Sequence, residues 1–356
     1  RVSQIHLPYP NKLLNFSMRF LGWPCLDKIL ERRLGKKIDL MIFPNFNFIA
    51  VSSDCPYILV AHDLSFEIFP EFFSFRRRIW HKLIQHRKVA QGAQCIIAVS
   101  ENTKRDLMEL YGVPEKKVKV VYPGVAGTNH KSQITNHKQI PNSNIPISKY
   151  HNILSSPYIL YLGTLEPRKN IEGLIKAFEL LCKMDPPLPN SLPSAEGGSA
   201  SGGQGEGRVR VDLVIAGQKG WLNQSIYQTV AHSQARDRIH FIGYVDEQDK
   251  PALYQNASLF VCPSFYEGFG FPPLEAASFG VPVIASSCSS FFETLGQAAL
   301  LVNPYDIAEI AEAMHQALTD ATLRASLIAK GQAVAARFSW DKTAQEILEV
   351  FKQATR

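Results

Sequence analysis

The chain has 356 residues, of which 46% are hydrophobic and 20% charged, with a formal net charge of +6. That length suits two ordinary domains rather than one, and that balance excludes a chain disordered throughout. A mildly basic surface fits small anions such as nucleotides and phosphates, or acidic lipid, and with no recognisable nucleic-acid module the chain is not read as a nucleic-acid binder.

Six scattered cysteines (Cys25, Cys55, Cys95, Cys182, Cys262, Cys288) form no C-x-x-C pair. They read as reduced thiols of a cytosolic protein, not as metal ligands or a disulfide framework. No apolar run approaches the roughly 18–20 residues that span a bilayer, and no signal peptide is visible. The expected location is therefore cytoplasmic, including the inner face of the membrane. The chain opens on Arg1 rather than Met, which raises the expectation that its natural start lies upstream.

Taken in order, residues 1–37 read as an Arg/Lys-rich helical stretch centred on 13–34. Strands are predicted at 39–44, 57–62, 95–99 and 118–122, each a short apolar run closed by a polar or turn residue. A helix is predicted over 75–92. Another follows Ser100, a good N-cap, and stops near Gly112. Residues 124–156, rich in Asn, His, Ser, Lys and Pro, read as a linker. A second set of strands is predicted at 158–163, 211–217, 239–244, 258–262, 281–285 and 299–302. Helices fit between them at 170–184, 222–235, 247–256 and 272–279. The Pro/Gly/Ser-rich stretch 185–208 reads as a disordered surface insertion with no catalytic role. Three more helical stretches follow, the last over 340–354 with Ser339 as its capping residue. Alternating strands and helices predict α/β architecture with parallel sheets.

Two strand-to-helix junctions carry chemistry. The first to stand out is EGFGFPPLE, from Glu267 to Glu275, after the predicted strand 258–262. A glycine-rich turn at a helix start presents backbone N–H groups to an anion, and Gly268 and Gly270 allow close approach. Pro272 and Pro273 suit a first helical turn. Two carboxylates are odd for phosphate alone, but they would accept hydrogen bonds from sugar hydroxyls. The plain alternative is a turn with solvated glutamates. The other junction is GTLEPRKN, from Gly163 to Asn170. Arg168 and Lys169 sit where cations oppose the helix dipole, and together they would neutralise a diphosphate and stabilise it as a leaving group. The plain alternative there is a solvated charge pair.

The spacing Glu267…Glu275, the GTLEPRKN segment and the closing FSWDKTA stretch at 338–344 together resemble retaining glycosyltransferases of family 4, with the GT-B fold. The resemblance covers the chain from about residue 39 onward and is looser in the first half. It implies two Rossmann-like, doubly wound lobes facing across a cleft: an acceptor-side lobe over 1–150, a nucleotide-sugar lobe over 151–338, and a C-terminal helix at 339–356 packing back towards the first lobe. The family's first strand and its Gly-rich loop have no counterpart here. Either the first lobe is truncated at its start or it begins differently.

The resemblance also implies roles. Glu275 would hold the donor's ribose hydroxyls, with Leu274 and Phe271 beside it. Glu267 and the backbone of Gly268, Phe269 and Gly270 would face the transferred hexose. Arg168 and Lys169 would contact the diphosphate, and Gly163 and Thr164 would line its end of the cleft. Tyr244 ends a strand where the family packs the base; an ordinary strand end is the plain alternative. His62, in Ala61-His62-Asp63, matches the family's H-D segment near the transferred sugar, and histidine is the commonest acid–base residue. A histidine tied into a strand-end hydrogen bond, with Asp63 as a cap, is the alternative. The expected catalytic set is His62, Glu267, Arg168 and Lys169, with no metal and no cofactor, since no D-x-D triplet occurs.

The implied activity moves a mannose- or glucose-type hexose from a nucleotide-diphosphate sugar to a glycan or lipid-linked acceptor with retention. A nucleotide-sugar epimerase or an inactive nucleotide-sugar-binding protein would carry the same motifs. A last feature is residues 72–88, with six Lys/Arg and no acid among interleaved aromatics. It reads either as a weak peripheral contact with anionic membrane or as a solvated helix face.

Overall fold

The computed structural model describes residues 10–125, 156–184 and 210–355. The predicted insertion 185–208 and almost all of the predicted linker lie outside the described residues. The chain divides into two compact units. Unit 1 holds Arg1–Pro70, Ser74–Tyr122 and Ala344–Arg356; unit 2 holds Glu71–Phe73 and Pro123–Thr343. Apart from the short Glu71–Phe73 excursion, the change from unit 1 to unit 2 falls at 122/123, just ahead of the predicted linker; the expected 150/151 division lies outside the described residues.

In unit 1, β1 (Met41–Phe43), β2 (Tyr57–Ala61), β3 (Cys95–Ala98) and β4 (Val118–Val120) form a parallel sheet in that order. Ile58, Leu59, Ile96 and Ile97 are buried on both faces of β2 and β3, which is why these strands read as continuous apolar runs rather than alternating ones. Helices α1 (Asn11–Leu21) and α2 (Leu26–Leu34) precede the sheet. The single helical stretch expected there breaks at Gly22, whose φ is 62°, ahead of Pro24. After β2 come α3 (Ser65–Ile68), α4 (Phe75–Ile84) and α5 (His86–Gly92). The expected helix 75–92 is therefore two helices, parted at Gln85, which takes the left-handed φ of 58°. Helix α6 (Glu101–Tyr111) starts at Ser100, whose Oγ accepts the Thr103 N–H, and stops at Gly112.

In unit 2 the strands are β5 (Tyr158–Leu162), β6 (Asp212–Ala216), β7 (Ile239–Gly243), β8 (Leu259–Cys262), β9 (Val283–Ser286) and β10 (Leu300–Val302). All pair in parallel, in the order β7-β6-β5-β8-β9-β10. This is the doubly wound order, with two halves diverging from β5 and β8. Ligands of such sheets bind outside the strand C-termini at that switch point. The helices are α7 (Ile171–Met184), α8 (Gln224–His232), α9 (Lys250–Gln255), α10 (Phe271–Ser278), α11 (Phe291–Thr294), α12 (Ile307–Thr319), α13 (Ala321–Ala335) and α14 (Trp340–Ala354).

Helix α7 buries Ile171, Leu174, Ile175, Phe178 and Leu181, a helical-period stripe laid on the sheet. Each such side chain contributes about 1.5–3 kcal/mol by leaving water. Aspartates start the later helices: Asp306 accepts the Glu309 N–H, and Asp320 accepts those of Thr322 and Leu323. Helix α14 begins in unit 2 and ends in unit 1, where Val350 and Ala354 pack with Ile58, Ile97 and Val121.

Candidate active site

The two predicted junctions follow β5 and β8, which are neighbours at the switch point of the unit 2 sheet. Beyond β5, Gly163 N–H donates to the Ala216 carbonyl and Leu165 N–H to that of Gln218. The loop is thereby pinned to the end of β6. At Gly217 a Cβ would come within 1.9 Å of the Gly163 oxygen, so this crossing requires glycine. Pro167–Lys169 then make a 3-10 turn, and Asn170, at φ 53°, turns the chain into α7. The Asn170 side-chain amide donates to the Pro304 carbonyl at 2.6 Å. A direct bond joins the junctions: Phe265 N–H donates to the Arg168 carbonyl at 2.9 Å.

Four charged side chains meet here. Arg168 Nε and Nη2 donate to Glu166 Oε1 at 3.1 and 2.9 Å. Its Nη1 donates to the Tyr266 carbonyl at 2.7 Å and to Glu267 Oε2 at 3.2 Å. Lys169 Nζ donates to Glu267 Oε1 at 2.5 Å, and the Ser264 hydroxyl donates to the same oxygen at 2.8 Å. The Glu267 main chain is held as well: its N–H donates to Ser289 Oγ, and its carbonyl accepts from Ser290 Oγ, both at 3.0 Å. Glu267 is only 7% exposed. Burial alone would raise its pKa. The charges of Lys169 and Arg168, with the hydrogen bonds from Lys169 and Ser264, override that and hold it down to about 2.

The second glutamate has a different environment. Helix α10 starts from Gly270, whose φ is 92° and where a Cβ would lie 2.5 Å from Phe291 Cε1. Pro272 and Pro273 occupy the first turn, where a missing N–H costs nothing. One turn on, Glu275 Oε2 accepts from the Tyr254 hydroxyl at 2.8 Å. Burial raises the Glu275 pKa, and the Tyr254 hydrogen bond only partly opposes it.

The remaining expected residues divide. Thr164 and Tyr244 are exposed at the ends of β5 and β7, Tyr244 by 53%, and Phe271 is half-exposed. The Phe269 ring faces the interior, against Phe271 and Phe338, so that residue has only its backbone to offer. Leu274 is fully buried; it packs the core and presents no surface to a ligand. Gly163, Gly268 and Gly270 lie in the two turns as expected. The cations do not stand as open phosphate sites: Glu166 and Glu267 already neutralise them.

In unit 1, His62 is exposed at the end of β2 and its Nε2 lies 2.9 Å from the Pro44 carbonyl. Asp63 accepts the Ser65 N–H and hydroxyl at the start of α3. Sequence reasoning missed Glu166, Ser264, Ser289, Ser290 and Tyr254. Glu166 was in plain view inside GTLEPRKN. The others are joined to the site only by folding, as Ser289 is 22 positions from Glu267.

The profile described as "Glycosyl transferases group 1" matches residues 146–334, more than half of the chain. The chain belongs to this family. A second profile, "Glycosyltransferase Family 4", matches residues 1–126, so the two profiles together reach both units. The O-antigen chain mannosyltransferase B of Escherichia coli is 31% identical over 295 residues, covering 83% of this chain and 70% of that protein. The serotype-specific mannosyltransferase WbdA of Escherichia coli is 29% identical over 83% of this chain, which spans 33% of that protein's length. Anabaena HepE, solved with UDP and glucose, superposes with a TM-score of 0.63 at 19% identity, over 92% of this chain and 80% of that one. That likeness gives the GT-B fold. Among the described residues no group of three His, Cys, Asp or Glu could hold a metal ion, and no helix is long and apolar enough to cross a membrane.

Proposed function

We propose that this chain transfers a hexose, mannose before glucose, from a nucleotide-diphosphate sugar to a glycan or lipid-linked acceptor with retention of configuration. The observation that carries this is the meeting of Arg168, Lys169 and Glu267 at the switch point of the unit 2 sheet. A diphosphate arriving there competes with Glu267 for the two cations. Lys169 and Arg168 then stabilise the departing diphosphate, and Glu267, released from them, accepts hydrogen bonds from the sugar. Glu275, with one oxygen on Tyr254, holds the ribose hydroxyls. No metal takes part. The names of the two mannosyltransferase relatives favour mannose, and His62 takes part in catalysis.

The test is a thermal-shift screen against GDP, UDP, GDP-mannose and UDP-glucose, since a ligand of the native state raises the melting temperature. A shift with a nucleotide diphosphate is expected, and it is expected to disappear in Glu275→Ala and in Arg168→Ala with Lys169→Ala. Intact affinity in those variants rejects the site. Turnover unchanged by EDTA and an axial product anomer by NMR test metal independence and retention. Donor turned over to a second free nucleotide sugar without acceptor would favour an epimerase.

The same reading places unit 1 at a membrane surface. Helix α4 has Arg76, Arg77, Arg78 and Lys82, no acid, and exposed Phe75, Ile79 and Trp80. Such a face rests on anionic lipid. Co-sedimentation with vesicles containing phosphatidylglycerol, and none with neutral vesicles, is the expected outcome.

A further inference from the structure

A cavity of about 300 Å³ is lined by unit 2 residues that include Glu166, Glu172, Lys176, Phe265 and Tyr305. Its volume is at the lower end of small-ligand pockets, roughly 300–1,000 Å³. That leaves room for a sugar ring rather than a whole nucleotide sugar. One wall is aromatic: the Phe265 and Tyr305 rings lie 4.7 Å apart, and Tyr305 is 68% exposed. Tyr305 sits on the loop between β10 and α12. Pro304 beside it is tied to the α7 start by the Asn170 amide, so an exposed ring stands on a fixed support.

We propose that this cavity is an acceptor subsite taking one hexopyranose of a glycan. The proposal rests on the sugar-transfer reading above. The C–H face of a pyranose is apolar and carries slight positive charge, so it settles on the negative face of an aromatic ring. Its hydroxyls donate to carboxylates, here Glu166 and Glu172, and accept from an ammonium, here Lys176. Two carboxylates against one ammonium disfavour a polyphosphate, which separates this cavity from the cationic end at Arg168 and Lys169. The two are wired together: Glu166 lines the cavity and also accepts both Nε and Nη2 of Arg168. A sugar hydroxyl on Glu166 would share its charge with Arg168 and loosen the hold on that guanidinium.

The probe is α-mannotriose, observed by saturation-transfer NMR on the full chain, with Tyr305→Ala, Tyr305→Phe and Glu172→Gln as variants. Tyr305 is a surface residue, so its replacement spares the core. Saturation of the sugar C–H signals is expected with the native chain and with Tyr305→Phe. The affinity is expected to fall at least tenfold in Tyr305→Ala and severalfold in Glu172→Gln, while the GDP-induced melting shift stays as in the native chain. No sugar signal with the native chain, or equal signals with Tyr305→Ala, overturns the subsite. A native chain that binds the sugar but shows no shift with any nucleotide overturns the transferase reading instead.

Discussion

Two strand ends carry the expected catalytic residues, and they are built differently. At the end of β2 in unit 1, His62 is exposed and its ring meets one backbone carbonyl. Beyond β8 in unit 2, Glu267 is buried and its side chain is held by Arg168, Lys169 and Ser264. The first can be replaced without leaving anything stranded. The second cannot, because its removal takes from Lys169, 13% exposed, the carboxylate it binds and leaves Arg168, equally buried, with Glu166 alone of its two carboxylates. A buried charge is tolerable only with its partners in place.

This contrast can be broken most forcefully at Glu267. Glu267→Ala should cost about 3–5 kcal/mol in urea unfolding, the usual penalty for stripping one partner from a buried ion pair. A loss under 1 kcal/mol would mean the cations are solvated after all. Acid probes the same group without mutation. Its pKa is depressed from the ordinary 4.5 to about 2, so its stabilisation is complete above pH 4.5 and fades as pH falls towards 2. The amount at stake is on the order of 3 kcal/mol, and in Glu267→Gln this part of the acid dependence should vanish. Nucleotide binding should weaken at higher pH than this. Glu275, whose pKa is raised by burial, protonates first and then loses acceptor capacity for ribose hydroxyls.

Smaller effects sharpen the comparison. Glu166→Gln should cost about 2 kcal/mol by removing the charge that orients Arg168, and should raise donor KM about tenfold. Rescue by Glu166→Asp, which keeps the charge on a shorter side chain, would support that electrostatic role; an equal loss in Glu166→Asp would point to a steric one. Ser264→Ala removes one hydrogen bond to Glu267 and should cost about 1 kcal/mol in the same unfolding assay. His62→Ala should alter stability by less than about 0.5 kcal/mol, yet reduce kcat more than tenfold. A large stability loss there would erase the difference between the two strand ends.

The fold was legible because its signals are local. Apolar runs such as Tyr57–Ala61 and Leu259–Cys262, short and closed by turn residues, have the pattern of buried strands of a parallel sheet. Ser100, Gly112 and Ser339 punctuate helices by chemistry that needs no distant partner. The helix break at Gln85 was hidden because nothing in a glutamine announces a left-handed φ. The break at Gly22 was written in Gly22 and Pro24 and was overlooked within an otherwise helical pattern. At the site, the motifs gave the residues but not their pairing. Arg168 and Lys169 read as cations awaiting a phosphate, because Glu267 is about 100 positions away and only the β5–β8 pairing brings it near. Ser289 and Ser290 carry no local signal of their role, for the same reason. The Phe269 ring, turned towards Phe338, shows that a motif position can be spent on packing.

Glu166, Arg168, Lys169 and Glu267 sum to zero charge. A visiting polyanion is therefore not pulled in from afar by this quartet; it must earn each contact at close range, through geometry. Association should then vary little with ionic strength, where an open pair of cations would slow markedly as salt screens beyond about 8–10 Å. Free phosphate, with no sugar for the displaced glutamate to grasp, gains less from the exchange than the intact donor does.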